Sequence, residues 1–191
     1  RLTPRARFSA TVRVLARERY YIDALAPLAP VDLAVGWGPM SDSAVLAAFD
    51  ISQSNRFYYW HADEMPLPRG QIESHSANWH IVPASAAVNR ALRRLRVGEV
   101  VRIEGELVDV AGPDGGSART SLRRDDTGAG ACEIVLAQLL ALEFAFDTLR
   151  NADVPFLRQI HEQPAGNADL RRQPGALGAA RPLDHPIEAR E

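Results

Sequence analysis

The chain has 191 residues, 46% hydrophobic and 24% charged, with a formal net charge of −2. That fits one globular domain with a core and some extension, and excludes a global positive field that would draw the whole molecule to nucleic acid or anionic lipid. A single cysteine rules out an intrachain disulfide, and no run approaches the roughly 20 apolar residues that span a bilayer.

From the N-terminus, Phe8, Ala10, Val12 and Val14 alternate with Ser9, Thr11 and Arg13, the period of a half-buried strand. In "ALAPLAPVDLAVGWGPMSD" the prolines forbid a regular helix, and Gly36 and Gly38 mark a tight bend. Ser41 or Asp42 can cap a short helix over "SAVLAAF". "DISQSNRFYYWHA" reads as one strand, and "MPLPRG" as a proline-bounded loop. Pro83 then stops an extended piece and Ser85 caps a helix with Val88, Leu92 and Leu95 on one face. Gly98 turns the chain into a strand that bends at Gly105. "GPDGG" is a hairpin turn. "CEIVLAQLLALEF" starts as a strand, while its composition after Leu136 suits either strand or helix.

These elements predict a β-rich α+β fold, a small curved or closed β-barrel-like sheet with one or two packed helices. Residues 1–145 form one globular domain, and residues 146–191, rich in Pro, Gly, Ala and Arg, form an extended or partly disordered tail. The opening on Arg1 carries the expectation of a removed leader or anchor, through which a membrane contact is possible.

The segments "APVDLAVGWGPMSD", "ISQSNRFYYW", "SANWHIVPA" and "SLRRDDTGAGACE" resemble a group of uncharacterised bacterial envelope proteins, periplasmic or membrane-anchored and of unknown function. The resemblance runs from about Phe8 to Leu142. It implies a periplasmic or envelope-associated location and supplies no catalytic residues.

"RFYYWH" is the densest aromatic stretch. In a strand, Phe57 and Tyr59 face one way, Tyr58 and Trp60 the other. One pair fills the core, and the other is covered or offered to a partner. Arg56, Tyr58, Trp60 and His61 are the candidate contact surface, together with Arg90, Arg93 and Arg94 on the helix. Acidic residues at Glu99, Glu104, Glu106, Asp125 and Asp126 are expected to pair with the basic concentration of Arg90, Arg93, Arg94, Arg96, Arg119, Arg123 and Arg124, which disfavours nucleic acid as the partner.

His75 and His80 are the candidate metal ligands, but their odd spacing opposes joint ligation in a strand, so neither metal nor cofactor is expected. Cys132 is a candidate nucleophile if a histidine stands beside it, and otherwise a small core residue. The reading that follows is a non-catalytic extracytoplasmic binding or assembly module, an accessory subunit bracing a membrane-associated protein complex. The alternatives are an oligonucleotide-binding-like module and a Cys/His-dependent hydrolase.

Overall fold

The computed structural model describes residues 1–112, 115–123, 126 and 131–143. The centre of the "GPDGG" turn, the pairing of Arg124 and Asp125 and the tail from residue 146 lie outside these residues.

The first strand, β1 (Leu2–Arg19), is long enough to serve two neighbours. Its first part pairs antiparallel with β6 (Val100–Ala111), and its last part with β2 (Val31–Gly36). β2 pairs antiparallel with β5 (Ser76–Pro83), and β5 runs parallel to β8 (Glu133–Leu142). β8 returns antiparallel to β6, which closes the ring. The closed order is therefore β1-β2-β5-β8-β6, with the short β7 (Ser117–Ala118) continuing off the end of β6. The expected β-rich α+β fold with a closed barrel-like sheet is what forms.

Alternation builds the interior. Phe8, Ala10, Val12 and Val14 of β1 point inward with Val31, Leu33 and Val35 of β2, and with Ala77, Trp79 and Ile81 of β5. Val101, Ile103 and Leu107 of β6 and Val135 and Ala137 of β8 complete the wall. Phe8 meets Trp79 edge to face, ring centroids 5.0 Å apart. Helix α3 (Ala86–Arg94) supplies Val88 and Leu92 to the same core, followed by Leu95. As its sequence predicts, α3 is capped by Ser85, whose Oγ accepts the Val88 N–H at 3.2 Å.

Closure depends on bends. A one-residue register shift in β1 falls between Val14 and Ala16, where the strand leaves β6 for β2. A second, between Glu104 and Gly105, lies on the β6–β8 seam. Gly105 is required there because a Cβ at that position would run into the Leu136 carbonyl oxygen. Gly105→Ala is expected to force the two strands apart and to cost about 1–3 kcal/mol in urea unfolding.

The long connection from β2 to β5 departs most from the sequence reading. A 3₁₀ turn, Gly38–Ser41, leads into helix α1 (Ser43–Leu46), which Asp42 caps. "DISQSNRFYYWHA" is a hairpin rather than one strand, with β3 (Asp50–Ser54) paired to β4 (Phe57–His61). Its two-residue turn, Asn55–Arg56, has φ of 51° and 70°, the backbone of a primed turn without the usual glycine. Helix α2 (Arg69–Ser74) replaces the end of the expected loop. β2 occupies part of the stretch read as non-helical with a bend at Gly36 and Gly38, and β8, open to either reading after Leu136, continues as strand to Leu142.

Candidate functional site

Five strands joined so that the fourth returns beside the first make a Greek-key barrel. This is the plan of the oligonucleotide- and oligosaccharide-binding barrels, whose second and third strands carry the ligand face. Here those strands are β2 and β5, and their outward residues include Asp32, Ala34, Ser76, Asn78 and His80. The chain's own hairpin covers them. Tyr58 Oη and Ser76 Oγ are 2.8 Å apart, and the Gln53 amide donates to Asn78 Oδ1 at 2.6 Å. Asn78 Nδ2 donates to the Arg56 carbonyl at 2.9 Å. Ile51, Tyr58 and Trp60 pack over Leu15, Ala16 and Ala34.

Beneath the hairpin turn lies a buried set of charges. Asp32 is 0% exposed, an acid in an otherwise apolar strand, so it requires a cation. Arg56 supplies it: Nη1 is 2.7 Å from Asp32 Oδ1 and 2.9 Å from the Ala29 carbonyl. The same guanidinium forks onto Asp23, with Nη2 2.8 Å from Oδ1, and its carbon sits 3.8 Å from the centre of the Tyr20 ring. The Arg56 N–H donates to Tyr20 Oη at 2.9 Å. These contacts offset the strain of holding a non-glycine residue at positive φ, about 1–2 kcal/mol. Burial would raise the Asp23 carboxyl, but the Arg56 hydrogen bonds and charge hold it below the ordinary value. Burial pushes the Tyr20 phenol up to about 12.

On the other side of Asp32, His80 Nδ1 lies 2.9 Å from Oδ2, a short contact that is not well aligned for a hydrogen bond. On the neighbouring strand His80 is in register with Ile134, two residues beyond Cys132. Burial alone would push His80 down, but the Asp32 carboxylate and Cys132 together raise it to about 9. Cys132 is half-buried and immediately precedes β8.

The sequence-derived candidates therefore separate. Arg56 belongs to the buried cluster, its side chain 15% exposed. Tyr58 and Trp60 turn onto the barrel, and Trp60 meets Phe49 edge to face with centroids 5.9 Å apart. His61 is exposed, its Nε2 3.4 Å from Asp63 Oδ1. His75 closes α2 beside Ser74 Oγ and the Gln71 carbonyl and tilts against Trp37, whereas His80 faces Asp32. Among the described residues no cluster of His, Cys, Asp and Glu suits a metal.

Arg90, Arg93 and Arg94 are exposed on α3, and the ion pairs expected of them are not made among the described residues. Glu104 instead pairs with Arg102, Asp126 accepts from Ser121, and Glu99 accepts the Arg96 N–H. Asp125 lies outside the described residues. Short-range partners have taken Glu104, Asp126 and Glu99. Arg17 and Arg19 add to this face by donating to the Arg93 carbonyl at 2.8 and 2.7 Å. They satisfy a helix end, and neither forms an ion pair among the described residues.

Next to these arginines, a groove of about 740 Å³ runs between the loop of residues 20–30 and the start of α3. Pro27, Leu28, Pro83, Asn89 and Arg93 line it, with Tyr21 at its edge. Tyr21 and Ile22 are 72% and 97% exposed.

Sequence reasoning did not find Asp23, Tyr20 and this groove, nor that Asp32 answers both Arg56 and His80. A lone aspartate within "VDLAVG" was the available signal. Set against protein-family models, curated proteins and solved structures, the chain matches none of them. Among the described residues no helix is long and apolar enough to cross a membrane.

Proposed function

We propose that this chain is a non-catalytic binding module for an acidic, apolar-containing segment of a partner protein, received in the groove between the loop of residues 20–30 and α3. The observation that carries this reading is the pairing of exposed apolar anchors, Tyr21 and Ile22, with Arg17, Arg19, Arg90, Arg93 and Arg94. Tyrosine and arginine are the side chains that anchor protein interfaces, and uncompensated cations select an acidic partner. The role of accessory subunit in a membrane-associated assembly outside the cytoplasm is part of this proposal and rests on the resemblance of the four segments alone.

Phosphates could answer the same arginines, but the strand face on which such barrels stack bases is sealed by the hairpin. The test is fluorescence anisotropy on the full chain. It compares a labelled peptide of Glu, Leu and Pro with a single-stranded oligonucleotide of equal charge. The peptide is expected to bind more tightly and to lose roughly tenfold or more in affinity in the triple variant Arg90→Glu, Arg93→Glu, Arg94→Glu, with a further loss in Tyr21→Ala. Tighter binding of the oligonucleotide, or equal peptide binding by the charge-reversed variant, would overturn the proposal.

A further inference from the structure

Three of the polar side chains that line the groove share one property. Tyr20 Oη accepts the Arg56 N–H at 2.9 Å, Ser85 Oγ accepts the Val88 N–H at 3.2 Å, and Asn89 Oδ1 accepts from Arg93 Nε at 3.0 Å. In each, the oxygen already accepts a bond from the chain itself, and the side chain still carries a hydrogen to donate. Arg93, the fourth, has donors only. Burial raises the Tyr20 phenol to about 12, so its hydroxyl keeps that hydrogen through the neutral range. Among the described residues no aspartate or glutamate lines the groove.

The walls are stiff. Pro27 and Pro83 have fixed φ, and the Tyr20 ring lies 3.8 Å beneath the Arg56 guanidinium. The same guanidinium ties the loop of residues 20–30 near both ends, to Asp23 and to the Ala29 carbonyl. A groove held in this way is formed before its ligand arrives, which keeps the entropic cost of binding low when the ligand is stiff as well.

A chain that meets four donors binds best if it brings carbonyls and few hydrogens of its own. An α-helix does not, because its N–H groups consume its carbonyls. A β-strand brings as many N–H groups as carbonyls. A proline-rich chain in the polyproline II conformation has no internal hydrogen bonds, and each proline carries a carbonyl without an N–H. Such chains dock in grooves walled by aromatic rings. We propose that the groove receives a proline-rich, polyproline II segment of a partner protein, flanked by acidic residues that reach Arg90, Arg93 and Arg94. The inference rests on the groove being the docking site and narrows the chemistry of what docks there. Asn89, its amide oriented by Arg93, donates to a ligand carbonyl and sets the preference for that backbone.

The test is fluorescence anisotropy on the full chain with two labelled peptides of equal length and charge. One is built of Leu-Pro-Pro repeats and ends in a pair of glutamates. In the other every proline is alanine. The proline peptide is expected to bind at least about tenfold more tightly. Asn89→Ala, which suits a helix, is expected to weaken the proline peptide about fivefold, the loss of one hydrogen bond, and to leave the alanine peptide unchanged.

Equal or tighter binding of the alanine peptide, lost in the triple arginine-to-glutamate variant, would overturn the polyproline assignment and leave the groove reading standing. Binding of neither peptide would overturn both. An Asn89→Ala change that weakens the two peptides alike would overturn the role given to Asn89.

Discussion

Replacing Asp32 with alanine is expected to lower the unfolding free energy by about 3–5 kcal/mol, the cost of removing one member of a buried ion pair. Asp32 has no exposed surface, and its two oxygens answer Arg56 and His80. Without it, His80 can release its proton, but the guanidinium cannot lose its charge. As a counter-charge among the described residues Arg56 would keep only Asp23, whose side chain is 39% exposed and so more strongly screened by water. The hairpin should loosen first, because its turn hangs on this guanidinium.

Urea unfolding gives the total loss, and proteolysis between β3 and β4 reports the loosening. The contrast with Asp23→Ala is the sharper check. That change removes a solvent-facing partner and should cost at most about 1 kcal/mol. Equal losses in the two variants would mean that burial does not set the strength of this cluster.

The second large effect is on alkaline stability. His80 is raised to about 9 in the folded chain from an ordinary value of 6.5. The folded state therefore binds the His80 proton more tightly than the unfolded state does. That contribution is complete below pH 6.5 and is lost as pH rises through 9. Its full size is on the order of 3 kcal/mol, with a slope of at most about 1.4 kcal/mol per pH unit. Urea midpoints for wild type should fall across this window. In His80→Gln, which cannot titrate there, the corresponding fall should be absent. Parallel curves would mean that His80 is neutral in the folded protein.

Much of the barrel could be read from the chain because its elements obey local rules. The β1 alternation, the Ser85 cap, the α3 face and the Gly105 bend each follow from a few neighbouring residues. The hairpin was hidden for a particular reason. Its turn, Asn55–Arg56, lacks glycine, and Arg56 holds a positive φ only through bonds to residues more than twenty positions away. A window of local sequence cannot contain that compensation. The same separation obscured the cluster. Asp32, Arg56, His80 and Cys132 come one each from the four segments that carry the resemblance. "RFYYWH" drew attention to its rings, whereas its first residue is the one that joins hairpin to barrel.

The strand order also constrains how the molecule is made. β8 is the last described strand in sequence, yet it sits between β5 and β6 and completes the ring. Until residues 133–142 have left the ribosome, the nascent chain carries two unpaired edges and an open apolar face. β1 must also hold β6 across about a hundred residues of intervening chain, so contacts of high sequence separation dominate and folding is placed on the millisecond-to-second scale of non-local β topologies. Synthesis thus leaves an interval in which the barrel is sticky and incomplete, and the arrival of β8 ends it.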